Sequence, residues 1–197
     1  QVVDSYTNHS VGNMQQSSNT LDFALSREGL FFAVKTPAGV RLTRDGSFTT
    51  NDEGKLITKA GYEVLPDDYF KTGKGISINI QDSVINVDKN GQINTTLPNS
   101  AKFTQLDSLF IAQPENIRLL KKEGDNLYSF EDIEKLESIQ GSGAVEQGFV
   151  EKSNVNAVKM MTQMIETNRL VGMYQKAMST QMDDMNRDAI EKLAKKA

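Results

Sequence analysis

The chain of 197 residues has no cysteine and a single histidine, His9. Without thiols there is no disulfide, no thiolate metal site and no cysteine nucleophile. One imidazole excludes a zinc centre built on several histidines. Net charge is also small: 22 Lys+Arg against 26 Asp+Glu gives −4, which favours neither nucleic acid nor an anionic membrane as a partner. No stretch approaches the ~20 continuous apolar residues of a membrane span, so no membrane insertion is expected. The start, Gln1-Val2-Val3-Asp4, shows no basic segment followed by an apolar one, as a secretory signal would.

What is present is unevenly divided. All 4 prolines and all but one of the 14 glycines lie at or before Gly148, whereas all but one of the 8 methionines lie between Met160 and Met185. The chain therefore reads as two materials joined near residue 150. We expect a polar extended arm over 1–20, a β-domain over 21–150 and a long C-terminal helix over 151–197. The fold class is mainly β, an irregular multi-stranded domain followed by one long α-helix.

Residues 1–20 are rich in Asn, Gln, Ser and Thr and offer little to bury. From Leu21 onward, short β-prone runs alternate with Gly, Asn and Asp. Strands are expected at 23–25, 30–34, 40–43, 48–50, 55–58, 63–65, 76–80, 84–87, 92–96, 108–112, 117–119, 127–130 and 143–149. Asn51-Asp52-Glu53-Gly54 and Asp88-Lys89-Asn90-Gly91 each end in a glycine suited to a tight turn. Residues 66–75 read as a loop, and 131–143 as a loop or short helix. Phe31, Phe32, Phe48, Tyr62 and Tyr128 are the expected β-core, with Phe110 and Phe149 beside them.

From Val155 onward there is no proline and only Gly172. Met, Lys, Gln, Glu and Ala are good helix formers. Ser153 or Asn154 is placed to cap the start, and Lys192, Lys195 and Lys196 suit its negative C-terminal end. Met164, Val171, Met178 and Met185 recur every seven residues. Met161, Asn168, Gln175, Met182 and Ala189 form a second heptad position, three residues earlier. About 40 residues at ~1.5 Å each give roughly 60 Å of helix, longer than one face of so small a domain. A core role for these methionines against the β part is therefore disfavoured. Such a seam must find a partner or fray, and methionine suits a surface that packs against several slightly different neighbours.

Catalytic and metal motifs are weak. Asp88–Gln92 begins like a calcium loop but has glycine at its fourth position and no glutamate at the twelfth, so it reads as a hairpin turn. Gly73-Lys74-Gly75 lacks the rest of a phosphate loop. A Ser–His–Asp triad would depend on His9 in the polar arm. Asp67-Asp68 and Asp183-Asp184 read as solvated charge, and Arg41, Arg44 and Arg118 are too scattered for a basic stripe. No catalytic residue, cofactor or metal is expected. Residues 1–154 carry 15 Lys+Arg against 21 Asp+Glu and residues 155–197 carry 7 against 5, a contrast that weak, salt-sensitive packing between copies would use.

Several segments in order resemble the bacterial flagellar basal-body rod and hook family. Leu21-Asp22-Phe23-Ala24-Leu25, then Phe31-Phe32-Ala33-Val34-Lys35-Thr36-Pro37-Ala38-Gly39, then Thr43-Arg44-Asp45-Gly46-Ser47-Phe48 are similar to its first β-domain segments. Asn86–Ile93 and Gly124-Asp125-Asn126-Leu127-Tyr128 continue the order. The most specific match is Gln147-Gly148-Phe149-Val150-Glu151-Lys152-Ser153-Asn154-Val155-Asn156, followed by Glu166 and Arg169. Two segments depart from the pattern: Arg27-Glu28-Gly29-Leu30 replaces the usual Gly-x-Gly turn, and Leu170-Val171 replaces Ala-Tyr.

The resemblance implies a structural, non-enzymatic subunit that polymerises helically into the axial rod crossing the periplasm, with terminal helices inside and the β-domain outside. Implied partners are copies of itself, neighbouring rod and hook proteins and the flagellar type III export apparatus. Family members begin with a long N-terminal helix, so this chain is expected to be a fragment lacking it. Phe32–Gly39 leans towards the proximal-rod type, with the distal-rod type as the alternative. A different class of alternative is a secreted binding module with a helical oligomerisation stalk. A small hydrolase is disfavoured for want of a nucleophile–base pair.

Overall fold

A computed structural model of the chain describes residues 9–78, 84–96, 103–139, 141–155 and 157–194. It divides into two compact units after Asn154. The first is β throughout. Its strands are β1 Met14–Gln16, β2 Phe23–Leu25, β3 Phe31–Thr36, β4 Gly39–Thr43, β5 Phe48–Thr50, β6 Leu56–Thr58, β7 Glu63–Val64, β8 Val84–Val87, β9 Gln92–Thr96, β10 Phe103–Ser108, β11 Ile111–Ala112, β12 Lys121–Gly124, β13 Leu127–Ser129, β14 Val145–Gln147 and β15 Phe149–Glu151. The second unit is one helix, α2, Ala157–Ala194, preceded in the chain by the single-turn α1, Tyr69–Thr72.

The largest sheet runs β12-β13-β4-β3-β7-β6-β5, with β11 sharing the β7 edge of β3. Strand β3 is its centre and is buried on both faces. Its period-2 alternation sends Phe32 and Val34 into one apolar cluster and Phe31 and Ala33 into the other. The first cluster also holds Phe23, Leu25, Phe48, Ile85, Ile93 and Val145, from β2, β5, β8, β9 and β14. The second holds Leu42, Leu65 and Phe110, rimmed by Tyr69, Tyr128 and Phe130. Each fully buried large apolar side chain contributes about 1.5–3 kcal/mol, so these two clusters carry the stability of the β unit.

Three antiparallel sheets complete the unit: β10-β9-β8, β14-β2 and β1-β15. The turns at Gly54 and Gly91 join β5 to β6 and β8 to β9, with the Asn51 and Asp88 carboxamide and carboxylate oxygens each accepting two backbone N–H bonds. The Asp88 segment is thus a hairpin turn, as its spacing indicates.

Several expectations are corrected. Residues 117–119 form a 3-10 turn rather than a strand, because the Asn116 side chain accepts from the Arg118 backbone N–H at 3.1 Å and holds the chain in a turn. The 66–75 loop contains α1, which Gly73 closes in the left-handed conformation at φ 68°. The expected strand 108–112 is broken at Leu109–Phe110, where Leu109 bridges to Pro66. Residues 76–78 form an isolated bridge, Lys55–Ser77, rather than a strand, and bury Ile76 and Ile78 in the first cluster; 79–80 lie outside the described residues. The 143–149 run is split at Gly148 into β14 and β15, and Phe149 is half-buried rather than core. Strands β1, β12 and the first part of β10 are polar or exposed edges that hydrophobic alternation does not reveal.

Candidate functional site

The residues expected to form a seam lie on the long helix α2. Its 38 residues span about 57 Å at ~1.5 Å each. Met161, Met164, Val171, Met178, Met182 and Met185 are between 48% and 66% exposed, and Asn168 and Gln175 are exposed as well. At ~100° per residue these eight positions fall within an arc of about 120°. Glu166 and Arg169 lie on the far side of the helix, three residues apart and exposed. The Ala189 side chain and Asn156 are outside what is described.

The motif before the helix is built as a strap. Gln147 ends β14, and its carboxamide joins three segments: Nε2 donates to the carbonyls of Thr20 (2.8 Å) and Ile85 (3.2 Å), and Oε1 accepts from Val87 N–H (3.0 Å). Gly148 follows at φ 75°, a left-handed value that a side chain would strain. Its N–H donates to Asp22 O (2.8 Å) and its carbonyl accepts from Ser17 N–H (2.7 Å). β15 then runs antiparallel to β1, with Met14 opposite Glu151.

Glu151 anchors the strap. Its Oε1 accepts from Gly12 N–H at 2.8 Å, and its Oε2 receives Arg44 Nη2 at 2.8 Å and Nε at 2.9 Å. The Arg44 guanidinium also donates to the carbonyls of Leu25, Arg27 and Leu30 and stands 6.0 Å over the Phe31 ring. A Cβ on Gly12 would stand 1.8 Å from Lys152 O, so only glycine permits this approach. Beyond it, Asn154 Nδ2 donates to Ser10 O (3.1 Å) and Oγ (3.0 Å). The helix is described from Ala157, so the capping expected of Ser153 or Asn154 turns on a residue outside the described ones. Ser153 and Val155 are exposed.

His9, in the polar arm, packs against the β unit. It is half-buried, with its ring 5.9 Å from Phe31 and 5.3 Å from Tyr128. Burial, then the positive charges of Arg44 and Lys122, hold its pKa below the usual 6.5. Phe31, Phe32 and Phe48 are fully buried, while Tyr62 and Tyr128 are half-buried and pack onto the two clusters. Neither Arg44–Glu151 nor His9 was signalled by spacing, since the ion pair joins residues 107 apart. The two ends of that pair do each lie in a motif segment already singled out.

Comparison with known proteins bears on these two features. Residues 27–95 match the Flagellar hook protein FlgE/F/G D1 domain, and residues 146–191 match the Flagellar basal body rod FlgEFG protein C-terminal family. The second match covers the strap from Glu146 and the seam through Met185. The flagellar basal-body rod protein FlgF of Caulobacter vibrioides is 32% identical over 188 residues, covering 95% of this chain and 71% of that protein. This chain belongs to the flagellar basal-body rod family. FlgG proteins of Agrobacterium fabrum (33% identical) and of Buchnera aphidicola subsp. Acyrthosiphon pisum (32%) each cover 87% of the chain. The chain spans 64% and 65% of their respective lengths, about two thirds.

Other arrangements in this rod-family chain are modest. Asp67, Asp68 and Asp107 bring carboxylate oxygens within 4.8 Å of one another. Burial raises the Asp107 pKa, with the two neighbouring carboxylates adding to it and its bond from Ser108 N–H opposing. A cleft of about 260 Å³ beside the β12–β13 turn is lined by Thr43, Asp45, Lys59, Tyr62, Asp125 and Asn126, among others. It holds no imidazole.

Proposed function

We propose that the chain supplies the outer β-domain and the polymerising helix of a structural, non-enzymatic subunit of the bacterial flagellar basal-body rod. One observation carries the reading. The exposed 38-residue helix carries a methionine-rich seam that runs about 36 Å, from Met161 to Met185. A helix of that length draws its stability from packing, so the seam needs partners. Copies of the same chain related head to tail supply them without limit, because a heterologous contact that does not close grows as an open helical polymer.

In this reading residues 155–197 face the axial core and residues 21–150 lie on the rod exterior, the whole standing in the part of the basal body that crosses the periplasm. Neighbouring rod and hook proteins cap the two ends of the polymer, and the subunit leaves the cell through the flagellar export apparatus. Relatives named FlgF and FlgG match at nearly equal identity, so the proposal is made for the rod and not for its proximal or distal part. The test is electron microscopy of the purified full-length protein at increasing concentration. Filaments or stacked rings are expected; a monomer at every concentration contradicts the proposal.

A further inference from the structure

The chain has no cysteine, so its sulfur chemistry is confined to methionine, and 7 of its 8 methionines stand on one exposed helix. Met160, Met161, Met164, Met173, Met178, Met182 and Met185 are each 54–66% exposed. Six of these seven fall in the seam arc of about 120°, and Met173 projects from the opposite side. Exposed thioethers are the groups that two-electron oxidants reach first in a chain without thiols.

We infer that the free helix is a modification site for oxidants of the peroxide class, and that sulfoxides on its seam hold the subunit out of the polymer. In the step, the thioether sulfur gives an electron pair to one peroxide oxygen. The O–O bond breaks, an S–O bond forms, the sulfur is oxidised by two electrons and the peroxide leaves as water. The product replaces a soft apolar group with a strongly polar S=O acceptor. A seam built of such groups must desolvate them to pack, and each one buried without a donor costs about tenfold in the assembly constant. Packing in turn covers the seam, so assembled subunits are shielded while free ones are exposed. Thiol-driven sulfoxide reduction, which returns two electrons to the sulfur and releases water, restores the apolar seam. The second half of the inference rests on the rod reading above; the first does not.

The test treats full-length protein with hydrogen peroxide, maps sulfoxides by peptide mass spectrometry and measures polymer by sedimentation and electron microscopy. In the free subunit the six seam methionines and Met173 are expected to oxidise together, and in the polymer Met173 is expected to oxidise ahead of the six. Oxidised subunits should yield at least tenfold less polymer, recovered by methionine sulfoxide reductase. Met173→Leu, on the side away from the seam, should assemble and stay sensitive to peroxide. Undiminished polymer from fully oxidised subunits, or a Met173→Leu variant that resists peroxide, overturns the inference. If untreated protein does not assemble, the rod reading fails, and the sulfoxide map of the free subunit still decides the site: seam methionines less reactive than Met173 overturn it.

Discussion

Arg44 and Glu151 meet at 2.8 Å with only 12% and 11% of their side chains exposed. The pair joins the turn after β4 to the last strand before the long helix. Both ions are fully engaged, since Arg44 also serves three backbone carbonyls and Glu151 also serves Gly12 N–H. A buried pair of this kind is costly to break from one side, because the remaining charge loses its partner in a poorly solvated place. Arg44→Met and Glu151→Leu are each expected to lower the unfolding free energy by about 3–5 kcal/mol. The double variant should lose less than the sum of the two. Denaturant melts of the four proteins test this; additive losses would contradict it.

The Gln147 side chain acts through its carboxamide, bonding to Thr20, Ile85 and Val87. Gln147→Leu leaves the part-buried Ile85 carbonyl and Val87 N–H without this partner and should cost about 1–3 kcal/mol. Gln147→Glu keeps the acceptor but brings a carboxylate against the two carbonyls that the amide satisfied. Its loss should be larger at pH 7 than at pH 4, where protonation restores a donor. Thermal melts of both variants at the two pH values check the order.

His9 makes the attachment of the arm depend on pH. Its folded pKa lies below 6.5 because its site, against Phe31 and Tyr128 and near Arg44 and Lys122, disfavours the charged ring. Between the folded value and 6.5 the unfolded chain therefore binds more protons than the folded one, so stability rises with pH in that window and is flat above it. Acidification from pH 7 is expected to loosen the arm, seen as lower hydrogen-exchange protection, relative to the intrinsic rate at each pH, at Ser17 and Lys152, whose N–H groups bond across the strap. His9→Phe should keep the ring contacts and remove the slope. An unchanged slope in that variant would assign the effect to another group.

Much of this was legible from local pattern. Phe31-Phe32-Ala33-Val34 read as a strand, and its burial on both faces follows from four consecutive apolar residues. The hairpins at Gly54 and Gly91 followed from Asn and Asp placed three residues ahead of a glycine. The helix was readable because its 38 residues contain no proline and one glycine. Other features were hidden because they depend on distant partners. Strand β1, Met-Gln-Gln, has no apolar alternation and exists through its pairing with β15. The Lys121–Gly124 strand is wholly exposed and charged, so only its pairing with β13 defines it. The roles of Arg44 and His9 appear once the fold brings 27–44, 128 and 151 to one place.

The seam separates two kinds of stability. Met178 is 65% exposed. Met178→Asp should leave the β-unit melt within about 0.5 kcal/mol of wild type while strongly weakening polymer formation. Loss of the β fold would make this methionine ordinary core.

The central claim is that the chain is part of a rod subunit, and its most direct measurement is in the cell. The encoding gene is deleted and basal bodies are imaged, with complementation by wild type and by the Met164→Asp, Met178→Asp double variant. The account predicts truncated basal bodies and non-motile cells after deletion, rescue by wild type and none by the double variant, although its β unit is folded. Complete rods and normal swimming after deletion would contradict it.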